Sequence, residues 1–304
     1  MDNNNLLVAQ NISKSFGSKV ALNDFSLSIP KGTIYGLLGP NGAGKTTFIR
    51  IINQITMPDT GKVFLNGEPL HPKHISKIGY MPEERGLYKN MKVGEQVVYL
   101  AQLKGLSHAE AVKKLKFWFD KLDIGDWWNK KLSELSKGMG QKIQFIVTVL
   151  HEPELLIFDE PFSGFDPVNA NLIRDEIIEL KDKGATIIFS THRMESVEEM
   201  CDHVALINKS NKVLDGPIRE IRNQFKEGKF KVELEINNQL AMDSLSNSYE
   251  IRDLQTHHGM TSFYVLSHDH NNNNLLNQLT QVGNVREFAE EIPTMNDVFI
   301  NAVK

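Results

Sequence analysis

The run Gly39-Pro40-Asn41-Gly42-Ala43-Gly44-Lys45-Thr46-Thr47 matches the pattern G-x-x-x-x-G-K-[ST] in full. It constrains the fold more than any other feature, because such a loop works only between a buried strand and a helix. Both are legible: Thr33 to Leu38 is an apolar run suited to a strand, and Thr47 to Ile52 continues as a helix. Glycine at 39, 42 and 44 lets the backbone wrap a polyphosphate with its N–H groups turned inward. The helix start adds partial positive charge, Lys45 reaches β- and γ-phosphates, and the Thr46 hydroxyl suits Mg²⁺. The loop alone fits kinases, GTPases and motors equally well.

A loop of this kind calls for a second carboxylate at the end of a neighbouring strand. Leu155-Leu156-Ile157-Phe158 runs straight into Asp159-Glu160-Pro161. The expectation is Asp159 on Mg²⁺ and Glu160 one residue closer to the γ-phosphate, placed to polarise water. Adjacent acids after a strand are often only a helix cap, but Pro161 and the loop Ser163-Gly164-Phe165-Asp166 follow at once.

The rest of the chain organises around this centre. Short strands are expected at Leu6 to Ala9, Val20 to Leu22 and Phe25 to Ile29, forming an antiparallel flank. Helical periodicity takes over from Met91 to His151, with Val93, Val97, Val98 and Ala101 on one stripe and a capping box at Ser107-His108-Ala109-Glu110. Phe117, Trp118, Phe119, Trp127 and Trp128 read as core packing rather than as a base-stacking platform. Strand and helix then alternate to Ile207, which implies a parallel sheet covered by helices. Beyond Arg222 a βαββαβ order suggests a ferredoxin-like sandwich. The expected architecture is therefore α/β with a mixed sheet, an antiparallel flank and a helical insertion at about 87–151. The expected domains are 1–222 and a small α+β domain at 223–304.

Composition removes several classes. Lys and Arg total 34 against 38 Asp and Glu, a formal net charge of −4 with no long basic stretch, which disfavours a nucleic-acid partner. Cys201 is the single cysteine, excluding an internal disulfide framework and fitting a reducing cytosol. No segment approaches the roughly 20 apolar residues of a membrane helix, and the start lacks a secretory signal, so a soluble chain is expected. Asn271 to Asn274 reads as a solvated loop, and His257, His258, His268 and His270 as surface residues in polar turns rather than a metal site.

Two further segments complete a pattern. Leu135-Ser136-Lys137-Gly138-Met139-Gly140-Gln141 stands at a helix start before Asp159, and Ser190-Thr191-His192 closes the strand after it. In this order the motifs resemble the ATP-binding-cassette family over roughly Leu6 to Arg219. The resemblance implies an ATPase whose two chains sandwich two ATP molecules, as a homodimer or a paralogous heterodimer. Its implied roles are Phe16 against adenine, and Gly39 through Thr47 around the phosphates. Thr46, Asp159 and Glu83 would hold Mg²⁺, Glu160 would act as base, and His192 would meet the γ-phosphate. Ser136 and Gly138 would face the other chain's ATP, with Asp166 at the seam.

Three departures stand out: Glu83 in place of a glutamine, Lys137 and Met139 within the Leu-Ser-Gly-Gly-Gln segment, and Phe16 in place of tyrosine. The stretches Pro82-Glu83-Glu84-Arg85-Gly86-Leu87-Tyr88 and Leu135 to Met139, with the ending Ile292 to Ile300, are similar to the exporter branch of sodium-efflux and drug-export ATPases. That resemblance implies a cytoplasmic subunit held at the inner membrane face by a separate permease, which would dock around Leu87 to Val93. The alternatives are a soluble cassette ATPase acting on nucleic acid or ribosomes, and a regulatory ATP-binding module.

Overall fold

A computed structural model describes residues 4–84, 86–267 and 272–303. The chain divides into two units, the first running to Ile218 and the second spanning Arg219–Asn301. In the first unit the strands and helices are β1 (Asn5–Phe16), β2 (Lys19–Pro30), β3 (Ile34–Leu38), α1 (Lys45–Ile52), β4 (Thr60–Leu65), β5 (Glu68–Pro69), β6 (Ile78–Met81), α2 (Val93–Leu103), α3 (His108–Lys121), α4 (Lys137–Val149), β7 (Leu155–Asp159), α5 (Pro167–Asp182), β8 (Thr186–Ser190), α6 (Met194–Met200), β9 (His203–Asn208) and β10 (Asn211–Pro217).

The central sheet has the order β10-β9-β3-β8-β7-β6, parallel except for the β9–β10 hairpin. Its strands β3, β7 and β8 are buried along their whole length, as apolar runs covered on both faces must be. A second sheet, β2-β1-β4-β5, is antiparallel and forms the expected flank. Helix α1 buries Phe48, Ile49, Ile51 and Ile52 in one core with Leu7, Ile12, Leu22 and Phe25 of the flank and Leu37, Ile157 and Ile188 of the central sheet. The phosphate loop is thus anchored at both ends in one packed mass.

The flank differs from expectation in one respect: it begins with two long paired strands rather than several short ones. Asn11 and Asp24 have positive φ (50° and 45°) and sit at register shifts inside β1 and β2. The Asn11 amide donates to Asp24 Oδ1 at 2.8 Å. Asn11 and Asp24, outside the short strands expected here, are bulges within continuous strands. Helix α1 starts two residues earlier than expected, at Lys45.

In the insertion, Val93, Val97, Val98 and Ala101 are buried on one face of α2, and Ser107 and Glu110 cap α3 reciprocally. Trp118 and Phe119 are buried, Trp118 edge-on to Phe145, whereas Phe117 is largely exposed.

The second unit holds α7 (Ile218–Gln224), β11 (Lys229–Ile236), α8 (Gln239–Ser248), β12 (Glu250–His257), β13 (Met260–Leu266), α9 (Asn272–Val282), β14 (Gly283–Glu290) and α10 (Met295–Val303). Arg222, near the compositional change, lies inside α7. The sheet order β12-β13-β11-β14, antiparallel throughout, is that of a ferredoxin-like sandwich. Phe230, Val232 and Leu234 alternate inward onto Met242, Leu245, Leu275 and Leu279. Asn272 to Asn274 open α9 rather than a loop, because Leu275, Leu279 and Val282 bury one helical face. His257 ends β12 and His258 follows in its turn, both exposed; His268, His270 and Asn271 lie outside the described residues. Among the described residues no helix is long and apolar enough to cross a membrane.

Candidate nucleotide site

The phosphate loop leaves the carboxyl end of β3, between β8 and β9 in the middle of the sheet. Gly39 has φ +145°, and a Cβ there would lie 2.2 Å from the Ile207 carbonyl oxygen at the end of β9. Gly44 has φ +125°, with its Cβ direction 2.5 Å from the Ala21 carbonyl of β2. These two glycines therefore answer first to the protein's own backbone, which the loop crosses at close range. A Cβ on Gly42 would point into open space. Gly44 provides no side-chain cap for α1, and its first turn carries no acid, so the helix N-terminus is offered to an anion from outside.

Lys45 is 8 % exposed and turns back into the loop, donating to the carbonyls of Gly39 at 2.6 Å and Pro40 at 3.2 Å. Burial pushes its pKa down, against the pull of the Asp159, Glu160 and Glu83 carboxylates. A cavity of about 200 Å³ opens beside the loop, lined by Phe16, Lys19, Ala21, Asn41, Gly42 and Gly44 to Thr47. Phe16 is 52 % exposed, and the Lys14 ammonium lies 5.4 Å from its ring centre. The β1–β2 hairpin pairs Phe16 with Lys19, which brings this lysine to the cavity. Sequence reading missed Lys19, since only strand pairing places it there.

The acidic strand end closes the site. Asp159 is buried, and burial raises its pKa, with the Glu160 and Glu83 charges adding to the rise and Lys45 opposing it. Glu160 adopts φ +50°, a left-handed conformation that costs a branched or bulky residue and clusters at functional sites. Its Oε1 accepts from the His192 backbone N–H at 2.9 Å and contacts the His192 ring Nδ1 at 2.6 Å. Its Oε2 accepts from the Thr191 hydroxyl at 3.1 Å. The Glu160 N–H donates in turn to the Ser190 carbonyl, at 2.8 Å. Parallel pairing of β7 with β8 sets this arrangement, because Asp159 stands opposite Ser190. Thr191, to which the sequence alone assigns no role, is one of the groups that hold the carboxylate.

Lys45 feels the charges of Asp159, Glu160 and Glu83, and of these carboxylates Asp159 is the buried one, so negative charge accumulates at the strand end. A hard divalent cation fits that setting, and Thr46, Asp159 and Glu83 offer the oxygen donors it prefers. Glu83 is exposed in the loop after β6, where the Pro82 carbonyl is held by the Gln144 side-chain amide at 2.8 Å.

Ser136 caps α4, its hydroxyl accepting from the Met139 N–H at 3.2 Å. Asp166 caps α5 by accepting from the Asn169 N–H at 3.0 Å, which holds its carboxyl below the usual range. The start of α4 approaches the loop before α5: a Cβ on Gly138 would lie 3.5 Å from the Gly164 carbonyl. Among the described residues no hydrogen bond or ion pair joins Ser136, Gly138 or Asp166 to Gly39–Thr47. The candidate residues thus fall into two groups within one chain.

A strand, glycine loop and helix facing an acidic strand end define a P-loop nucleoside-triphosphate-binding protein. The particular family follows from its relatives: the chain belongs to the ABC transporter ATP-binding proteins and is an ATPase subunit of that kind. The ABC transporter family matches residues 22–163, and the ATP-binding protein DrrA1-3-like C-terminal domain matches residues 216–303. The uncharacterised ABC transporter ATP-binding protein YhaQ of Bacillus subtilis is 42% identical over 306 residues, covering 98% of each chain. The linearmycin resistance ATP-binding protein LnrL of the same organism is 35% identical over 214 residues, 69% of each chain. A solved structure of an ATP-binding subunit of an ABC transporter superposes with a TM-score of 0.68 at 31% identity, covering 72% of this chain and 93% of that one.

Proposed function

We propose that this chain hydrolyses ATP as half of a dimeric motor that drives a separate exporter permease. The carrying observation is Glu160 at the end of β7, fixed by Thr191 and His192 beside Asp159 and Lys45. In this reading Phe16 stacks on adenine, the backbone from Gly39 to Thr47 and Lys45 hold the phosphates, and Thr46, Asp159 and Glu83 hold Mg²⁺. Held there, Mg²⁺ would supply neutralisation of the negative charge of the phosphoryl group being transferred. Glu160 takes the proton of the attacking water, while His192 orients that carboxylate and meets the γ-phosphate. Ser136 and Gly138 serve the ATP of a second chain, with Asp166 at the seam. That, among the described residues, they make no hydrogen bond to the phosphate loop of their own chain supports that reading. Thr46→Ala is expected to raise the Mg²⁺ concentration for half-maximal phosphate release about tenfold; an unchanged Mg²⁺ dependence would take Thr46 out of the ligand set.

The permease docks on the segment from Leu87 to Val93, holding the chain at the inner membrane face. Gln96, fully buried, accepts from the Tyr88 N–H at 2.7 Å and donates to its carbonyl at 3.0 Å. The backbone is pinned while the Tyr88 ring stays 59% exposed, a fixed aromatic suited to anchoring an interface. Tyr99 and Leu103 are exposed one turn apart on α2. The cargo, whether sodium, a drug or a lipid, is chosen by the permease. Tyr88→Arg is expected to abolish co-purification with the permease while sparing ATP binding; retained co-purification would move the docking surface elsewhere.

A further inference from the structure

The loop that carries Glu83 is anchored from a helix distant in sequence. Strand β6 ends at Met81, Pro82 follows, and Glu83 is exposed beyond it. From the buried face of α4, the Gln144 side-chain nitrogen donates to the Pro82 carbonyl at 2.8 Å. Gln144 is 3 % exposed, and its Oε1 is buried with no hydrogen-bond partner among the described residues. The contact with Pro82 is therefore the one that satisfies this amide, and releasing it would leave a buried donor unpaired. The helix has little freedom to follow a moving loop. One turn beyond Gln144, the Thr148 carbonyl lies 2.4 Å from where a Cβ on Gly79 of β6 would stand, so helix and strand meet backbone to backbone.

The bond reaches Glu83 through the peptide plane. The Pro82 carbonyl and the Glu83 N–H belong to one planar unit, and the Pro82 ring fixes φ on its other side. With φ set by the ring and the carbonyl direction set by Gln144, the path of the chain into Glu83 is determined. The Glu83 charge is felt at both Asp159 and Lys45, so the side chain stands within electrostatic reach of the strand end and the phosphate loop.

We infer that Gln144 is a positioning residue that fixes Glu83 as a Mg²⁺ ligand. The inference rests on the assignment of Glu83 to the ligand set. Its test is equilibrium dialysis of the full chain with imido-ATP, which is not hydrolysed, in EDTA and in saturating Mg²⁺, with folding followed by thermal melting. The quantity read is the factor by which Mg²⁺ raises nucleotide affinity. Gln144→Met keeps the length and loses the donor: the factor falls about tenfold, while affinity in EDTA stays within twofold of wild type. Gln144→Leu, which also lacks the donor, gives the same result should the methionine variant fail to fold. Glu83→Ala lowers the factor at least as far, and adding Gln144→Met to it lowers the factor no further, because the amide acts through that carboxylate. A lower melting temperature with an unchanged factor in the Gln144 variants would make the bond purely structural and overturn the inference. Additive losses in the double variant would do the same. An unchanged factor in Glu83→Ala would remove Glu83 from the ligand set and the inference with it; a fall there with none in Gln144→Met would remove the inference alone.

Discussion

Replacing Glu160 by glutamine stops steady-state phosphate release while leaving ATP binding intact, and the variant accumulates as an ATP-bound dimer. The substitution is nearly isosteric. The amide oxygen still accepts from the His192 N–H, as Glu160 Oε1 does at 2.9 Å, and the amide nitrogen faces the Thr191 hydroxyl. What disappears is the ability to take a proton from water, a contribution of about 10²- to 10⁴-fold to such reactions. The left-handed backbone at this position, φ +50°, is met by wild type and variant alike, so stability changes little. Phosphate release, nucleotide affinity and mass in ATP are the three readouts. Undiminished hydrolysis would remove Glu160 from its role, and a monomer in saturating ATP would remove the sandwich.

Mild acid destabilises the first unit through His151, and His151→Gln blunts the loss. The ring sits just beyond α4, its Nε2 3.3 Å from the Ile78 carbonyl and its Nδ1 buried with no hydrogen-bond partner among the described residues. Burial, reinforced by Lys104 and Lys114, pushes its pKa down to about 4. Lys104 donates to the Ile75 and Ile78 carbonyls at 2.8 Å each, so a second cation would enter an already basic corner. The unfolded chain takes up this proton near pH 6.5 and the folded chain does not until about pH 4. Stability is therefore unaffected by His151 above pH 7 and falls as pH drops from 6.5 towards 4, by about 2 kcal/mol at pH 5. Melting at pH 7.5 and pH 5 measures it: the glutamine variant, which can still donate to Ile78, loses less on acidification than wild type. Equal losses would show that His151 does not carry the effect.

Much of the centre was legible because its chemistry is local. A strand, a glycine loop and a helix are contiguous in the chain, and an apolar run ending in Asp159-Glu160 declares a buried strand with its acids at one end. The βαββαβ order of the second unit was readable for the same reason, since each element announces its own period. The bulges at Asn11 and Asp24 were not, because a polar residue inside a strand and one in a turn carry the same signal. Asn272 to Asn274 misled likewise: their helix is decided by the leucines that follow.

By itself the sequence determined the phosphate loop, the carboxylate pair and the alternation that makes an α/β sheet, all of which depend on neighbours along the chain. Only the tertiary structure decided what holds them in place. Glu160 meets His192 across 32 residues because β7 and β8 pair in parallel, Lys19 reaches the cavity because a hairpin folds β2 onto β1, and Gln144 reaches the Pro82 carbonyl because α4 packs against β6. Strand register and side-chain direction arise from packing between distant segments, and no local pattern of residues encodes that packing.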